Sequence, residues 1–175
     1  MNAPPDDLTQ LVDGEGTHPT TSSSHKDELR LWLRLLATSN LIESAIRRRL
    51  RTDFNTTLPR FDLLAQLHRA GGLMTLSAIS REMMVSNGNV TGLAARLVSE
   101  GLVERRISAF DRRAQTLRLT PKGSREFERQ SIAHAHWIAE LFAALSREER
   151  AALSGLLARA QSSVQAAIAE HGAGP

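Results

Sequence analysis

The sequence predicts a mainly α-helical fold with one small β-hairpin, and three observations lead to this prediction. Apolar residues recur at three- and four-residue steps in several segments of the 175-residue chain. Two short strand-like runs follow one another at 102–107 and 115–119, and the second alternates apolar and polar residues. Residues that cap helices or form turns stand between these segments. The predicted order is a long helix, three short helices, a hairpin and two further helices.

The composition excludes several classes of protein. An apolar fraction of 41% with 23% charged residues is typical of a globular chain with its own core. Cysteine is absent, which excludes disulfides, Cys-ligated zinc, iron–sulfur clusters and a thiol switch. No apolar run approaches the roughly 18 residues of a membrane span, and the first residues lack the pattern of a signal peptide. We expect a cytoplasmic protein with no membrane partner.

The first two segments are predicted to be a tail and a long helix. Residues 1–25 are rich in Pro, Thr, Ser, Asp and Gly, which favours a disordered N-terminal tail. Residues 26–57 carry a wide apolar stripe, formed by Leu29, Trp32, Leu33, Leu36, Ile42, Ile46 and Leu50. So wide a stripe indicates contact on two sides, so that this segment is interpreted as a first dimerisation helix.

Residues 58–120 are predicted to form the second part of the molecule. Pro59 suits the first turn of a short helix that Gly71 ends. Thr75 and Ser86 are placed to cap the third and fourth helices, and the fourth ends near Gly101. Two short helices joined by a tight turn and followed by a hairpin make a winged helix-turn-helix, which is a DNA-binding arrangement.

The remaining residues are predicted to return to helix. Thr120 and Pro121 have the types expected at the N-cap and first position of a fifth helix. Residues 146–149, Ser-Arg-Glu-Glu, have the spacing of a capping box and open a sixth. We interpret 121–170 as C-terminal dimerisation helices, because two such helices could not bury their leucines alone.

The outward face of the fourth helix is the first candidate site. Glycine in a helix interior costs roughly 1 kcal/mol relative to alanine, so that Gly88 and Gly92 on one exposed face need a compensating use. Close approach to a DNA groove is one such use, and Asn and Thr can read base edges. The candidate DNA-binding residues are Ser86, Asn87, Gly88, Asn89, Thr91, Gly92 and Arg96. The alternative is a short, poorly optimised surface helix.

The predicted hairpin tip is the second candidate site. It reads Asp111-Arg112-Arg113, and a guanidinium on a thin loop can enter a narrow minor groove. Alone, such a loop is more often a solvated turn. The charge distribution favours binding to DNA. Residues 96–125 contain eight Lys or Arg against three acids, although the whole chain has a formal charge of only +3.

These segments together resemble the MarR family of transcriptional regulators. Residues 85–93 and 97–105 resemble its recognition helix and first wing strand, and 111–114 with 117–123 are similar to its wing signature and the entry to the next helix. The resemblance spans about 29–168 and implies a two-fold homodimer on a near-palindromic operator. Gly92 departs from the family pattern, because many relatives carry arginine there, and this puts a base contact from position 92 in doubt.

The resemblance also implies a small ligand that controls DNA binding. The candidate ligand-binding residues on otherwise apolar faces are Trp32, Asn40, Glu43, Phe61, His68 and Trp137, although the tryptophans and the histidine also suit a core. The strings 58–62 and 84–92 are similar to a subgroup that controls breakdown of phenylpropanoid and other aromatic acids. That likeness implies an aromatic acid or an aromatic acyl-CoA thioester such as a hydroxycinnamoyl-CoA. The candidate contacts of the CoA phosphates are Arg47, Arg48, Arg49 and Arg60.

Other classes of function are less well supported by the sequence. His134 and His136 lie about 200° apart around a helix, so that they cannot face one metal ion. No nucleophile motif or phosphate-binding loop accompanies them, and we expect no enzyme activity, metal or cofactor. A winged-helix module that binds DNA without sequence preference, or binds only protein, remains the alternative. As a regulator the chain is expected to be a repressor, since blocking a promoter sterically is the simpler mechanism.

Overall fold

The computed structural model of the protein describes residues 25–107 and 115–172. These residues form six helices and a three-stranded antiparallel sheet. In chain order the elements are α1 (Lys26–Phe54), α2 (Leu58–Ala70), β1 (Met74–Thr75), α3 (Leu76–Met83), α4 (Asn87–Ser99), β2 (Val103–Ile107), β3 (Gln115–Leu119), α5 (Pro121–Leu141) and α6 (Arg147–Gly172). The prediction of a mainly helical fold with a small hairpin is confirmed.

The sheet contains one strand that the sequence did not reveal. Its order is β1-β3-β2, with Val103 opposite Leu119 in the hairpin and Met74 opposite Leu117 at the other edge. β1 has only two residues, too few for an alternating pattern to be recognised. Thr75 both pairs with Thr116 in the sheet and caps α3, so that the base of the hairpin is joined directly to the start of that helix.

The predicted caps are present where the sequence suggested. The hydroxyl oxygens of Thr75 and Ser86 accept hydrogen bonds from the backbone N–H groups of Ala78 and Asn89, at 3.1 and 3.4 Å. Thr120 caps α5 in the same way, and Ser146 exchanges two hydrogen bonds with Glu149 in a complete capping box. Each cap satisfies N–H groups that a helix cannot bond internally.

The chain divides into two compact units, one ending at Gln130 and the other beginning at Ser131. The described residues of the first unit form an apolar core, to which α4 contributes Val90, Ala94 and Leu97. The other buried apolar side chains of this unit are Ile46, Leu50, Phe61, Leu63, Leu64, Leu67, Ile79, Leu102, Val103, Leu117 and Phe127. In α1 only Ile46 and Leu50 are buried, so that the core takes only the C-terminal part of the long helix.

The second unit comprises the end of α5 and all of α6. Trp137 is buried, but the apolar side chains of α6 are exposed in the single chain, namely Leu153, Leu156, Leu157, Val164 and Ile168. In the first unit the N-terminal half of α1 likewise exposes Leu29, Leu31, Trp32 and Leu36. Among the helices described, none is both long and apolar enough to cross a membrane.

Candidate nucleic-acid interface

α3 and α4 are joined by a tight turn that presents the start of α4 to solvent. Met84 ends α3 in the left-handed conformation, with φ of 53°, and the N–H groups of Met84 and Val85 donate back to the carbonyls of Arg81 and Ser80. Ser86 then caps α4, leaving the first residues of that helix exposed. This geometry is that of a helix-turn-helix, whose second helix enters the major groove by its N-terminal residues.

The exposed face of α4 carries the polar residues that the sequence singled out. Asn87, Asn89 and Arg96 are exposed, and within the described residues none of their side chains makes a hydrogen bond. Thr91 is also exposed, and its hydroxyl donates to the carbonyl of Asn87 at 2.8 Å. The free amide and guanidinium groups are the types that bind base edges and phosphates.

Gly88 and Gly92 lie on the same exposed face, and nothing in the described part of the chain requires glycine there. A Cβ atom built on either residue meets no heavy atom within 4 Å. Both have ordinary helical backbone angles, because the positive-φ glycines are Gly71 and Gly101 only among the residues described. Internal packing therefore does not explain the cost of glycine in this helix, and the open space on this face leaves room for the close approach of another molecule.

A cleft of about 440 Å³ runs between this face and the start of α2. Thr57 and Pro59 line one side, and Gly88, Gly92 and Arg96 line the other. Both glycines thus line a concave surface that the Arg96 side chain also lines.

The two strands of the wing hold a small charged cluster at their base. Glu104 on β2 accepts hydrogen bonds from Arg118 on β3 and, at 3.0 Å, from Arg106. These two arginines, Arg118 above all, hold the pKa of Glu104 below its ordinary value. The cluster cross-links the strands that carry the tip. The tip itself, residues 108–114 with Arg112 and Arg113, lies outside the described residues, so that its role stays a prediction.

Arg105 is a candidate that the sequence reasoning missed. It is exposed on β2 and forms no ion pair within the described residues, in contrast to Arg106. The signal was present in the run Val-Glu-Arg-Arg at 103–106, because alternation along a strand separates the two arginines onto opposite faces.

Some of the predicted ligand-binding residues are close together and others are not. The ring of Phe127 lies 5.5 Å from that of Phe61 and 4.7 Å from that of His68, which makes an aromatic cluster of α2 and α5. Trp32 and Asn40 are exposed on α1 and stand eight residues apart, on the order of 12 Å along a helix. Trp137 belongs to the other compact unit, where its ring lies 6.5 Å from that of His134.

The predicted phosphate-binding arginines differ in how far their charges are already compensated. Arg47 donates to Glu43 at 2.9 Å on the surface of α1, and Arg60 forms a two-point ion pair with Glu100. Arg48 is exposed and has no ion pair among the residues described. Arg48 is therefore more available to an anion than Arg47 or Arg60.

Asp62 on α2 is a half-buried carboxyl beside the same α1 charges. Burial raises its pKa to about 6, while the charge of Arg47 opposes this rise and that of Glu43 adds to it. The sequence did not identify Asp62, because its burial depends on the packing of α2.

The chain is similar in sequence to known regulators. A family model described as "MarR family" matches residues 56–114. The curated protein YdgJ of Bacillus subtilis (strain 168), described as an uncharacterized HTH-type transcriptional regulator, is 30% identical over 105 residues. That alignment covers 60% of this chain and 63% of YdgJ, so that the chain spans less than two thirds of that relative.

Solved structures extend the similarity over most of the chain. A MarR family transcriptional regulator from Silicibacter pomeroyi is 30% identical with a TM-score of 0.70, covering 82% of this chain and 99% of that one. Wild-type MarR from E. coli in its apo form is 26% identical with a TM-score of 0.64, covering 73% and 93%. The likeness therefore includes the helices on both sides of the part matched by the family model.

Proposed function

Because the chain belongs to the MarR family of transcriptional regulators, we propose that it is a repressor that binds a near-palindromic operator as a homodimer. The family consists of regulators and not enzymes, in agreement with the prediction against catalysis. The single observation that carries the proposal is the exposed face of α4, with two unexplained glycines between unpaired polar side chains.

DNA contact in this proposal is made by α4 and the wing. Gly88 and Gly92 let the helix backbone approach the major groove, while Asn87, Asn89 and Thr91 bind base edges. Ser86 and Arg96 bind the phosphate backbone at the two ends of the exposed face. Arg112 and Arg113 at the tip enter the adjacent minor groove.

The dimer in this proposal is formed by α1 and α6. Their exposed leucines and Trp32 make apolar surfaces of a kind that single soluble chains rarely leave open. Two winged helices related by a two-fold axis meet half-sites roughly 10 bp apart, which explains the near-palindromic operator.

The effector in this proposal is a small aromatic acid or an aromatic acyl-CoA thioester such as a hydroxycinnamoyl-CoA. The proposal is supported by an aromatic cluster in which the exposed His68 contacts the ring of Phe127, and Phe127 contacts the buried ring of Phe61. The other proposed contacts of the aromatic part are Trp32 and Asn40, and those of the CoA phosphates are Arg47, Arg48 and Arg60. A polyanion bound near the DNA-facing surface weakens operator binding by repulsion as well as by a change of conformation.

The test is a titration of the protein against DNA from upstream of its own gene and against unrelated DNA, at two salt concentrations. We expect specific binding to exceed nonspecific binding by about 10³ or more. Equal affinity for both DNAs, with a steep salt dependence, would instead indicate the alternative of an architectural binder. No binding to either DNA would favour a protein-interaction module.

The effector is tested by adding aromatic acids and their CoA esters to the preformed complex. Release by an aromatic ester but not by free CoA supports the proposed class. If no member of the panel binds the free protein by calorimetry, the aromatic effector is wrong while the repressor remains.

A further inference from the structure

A pocket of about 580 Å³ lies where four helices of the first unit meet. Its wall is formed by the end of α1, the start of α2, the end of α4 and the first turns of α5. The charged residues that line it are Arg60, Glu100, Lys122, Arg125, Glu126 and Arg129. The volume lies within the range of roughly 300–1,000 Å³ that is usual for small-molecule sites.

Positive charge exceeds negative charge around this pocket. Glu100 pairs with Arg60, and Glu126 pairs with Arg129 at 2.9 Å. Lys122 donates to the backbone carbonyl of Glu100 at 2.8 Å, a neutral acceptor. Neither Lys122 nor Arg125 has a carboxylate within ion-pair distance in residues 25–107 and 115–172. The four cations of the wall thus face only two carboxylates, and the charge of Glu100 is shared between Arg60 and Lys122.

The position of Lys122 and Arg125 on α5 adds to the imbalance. Both stand in the first turns of the helix, whose first turn contains no acidic residue. The N-terminal end of a helix carries partial positive charge, so that cations there are repelled and an anion is attracted. An anion bound here would offset the repulsion between the helix N-terminus and the charges of Lys122 and Arg125.

The hydrogen bonding of the pocket wall is also incomplete. Among the described residues, Arg60 Nε and Gln130 Oε1 are the buried side-chain polar atoms without a partner, and both residues line this pocket. Gln130 is 2% exposed, and its amide donates to Glu126 at 2.7 Å, which fixes Oε1 as the unsatisfied acceptor. A buried polar atom without a hydrogen-bond partner destabilises the folded state, because its contact with water is lost and not replaced. One donor and one acceptor therefore remain to be satisfied.

We propose that this pocket binds a small organic dianion that carries a hydroxyl group, of the hydroxydicarboxylate class, and that the anion competes with Glu100 for Arg60. One carboxylate lies against Lys122 and Arg125. The other takes the guanidinium of Arg60, including its unpaired Nε, and the hydroxyl donates to Gln130. Glu100 is the C-cap residue of α4, so that its release loosens the last turn of that helix.

Calorimetry with the full chain in the absence of DNA tests the site. The probes are L-malate, and succinate as the analogue without the hydroxyl, at constant ionic strength set with NaCl. We expect saturable binding of one malate per chain, with succinate weaker. Lys122→Gln and Arg125→Gln should each weaken malate binding roughly tenfold, as expected for loss of a charge-assisted hydrogen bond. Arg81→Gln, which removes an exposed arginine outside the pocket, is the matched control and should leave malate binding unchanged.

The Glu100→Gln variant tests whether malate competes with Glu100 for Arg60, or whether the ion pair of Glu100 with Arg60 only stabilises the fold. If the anion displaces Glu100, removing that charge should tighten malate binding by roughly fivefold, or about 1 kcal/mol. Malate should also raise the hydrogen exchange of amides 97–101 in the wild-type protein. Absence of saturable binding, equal weakening by Arg81→Gln, or weaker malate binding by Glu100→Gln would each overturn the proposal. Because no DNA is present, failure here leaves the proposed repressor function untouched.

Discussion

The backbone of Gly123 approaches the carbonyl group of Leu102 so closely that no other residue fits there. A Cβ atom on Gly123 would lie 1.9 Å from that oxygen and 2.9 Å from the carbonyl carbon. The same carbonyl accepts the N–H of Thr120 at 3.1 Å, and Gly123 donates to the Thr120 hydroxyl. These contacts hold the start of α5 directly against the backbone of Leu102, which leads into β2.

We expect Gly123→Ala to lower the free energy of unfolding by about 3 kcal/mol, because overpacking of this kind cannot be relieved by a side chain. Urea denaturation of the two proteins measures the difference. Gly88→Ala is the matched control, since a Cβ atom there meets nothing within 4 Å. A loss below about 0.5 kcal/mol for Gly123→Ala, within the range of ordinary surface substitutions, would contradict this close approach.

Gly88→Leu should abolish operator binding without destabilising the protein. The side chain has free space in the isolated chain but would occupy the surface that approaches the DNA groove. A gel shift measures the affinity and thermal unfolding measures the stability. Unchanged affinity would refute the close approach of α4 to DNA.

Met84→Gly should stabilise the protein by about 1 kcal/mol, because a residue with a Cβ atom is strained at positive φ. Met83→Gly is the control: Met83 ends the helical part of α3, and glycine there should destabilise by a similar amount. Chemical denaturation checks both. A destabilised Met84→Gly would mean that the exposed methionine makes a contact that outweighs the backbone strain.

Arg112→Ala and Arg113→Ala should each weaken operator binding with little effect on unfolding. Each lost phosphate or groove contact should lower the slope of log affinity against log salt by about one. Affinities at four salt concentrations give these slopes. If neither variant changes affinity or slope, the wing does not contact DNA.

The raised pKa of Asp62 predicts how the free energy of unfolding changes with pH. Its pKa is raised to about 6 from 3.8, so that the protonated carboxyl is favoured in the folded state. Its contribution is present below pH 4 and is lost as the pH rises through 6. Asp62→Asn should therefore gain stability relative to the wild type between pH 4 and pH 7.5.

The wild-type profile alone cannot isolate this effect, since burial lowers the pKa of His134 and gives a contribution of opposite sign in the same range. The difference between the two unfolding curves at each pH removes that contribution. A difference that stays constant with pH would show that Asp62 titrates normally.

Much of the fold was predictable because its signals are local. The hydroxyls of Thr75, Ser86 and Thr120 act within three residues of their own positions, so that spacing alone identified each cap. The exposed face of α4 was predictable for the same reason, from a period of 3.6 residues.

What the sequence did not reveal depends on residues far apart in the chain. Arg60 and Glu100 are 40 positions apart, and no local pattern in either segment predicts their ion pair. The two residues of β1 acquire their strand conformation only by pairing with β3. The candidate interface on α4 was therefore readable from one helix, whereas the pocket beside it required the assembled fold.

The strand β1 has a mechanical consequence for any encounter with a duplex. It fastens the base of the hairpin to the N-cap of α3, so that β3 and the start of that helix are held together by backbone contacts. In the proposed complex with DNA, the base of the wing and the helix-turn-helix are therefore already positioned relative to each other before contact. Little conformational freedom of these elements is then lost on binding, which lowers the entropic cost of association.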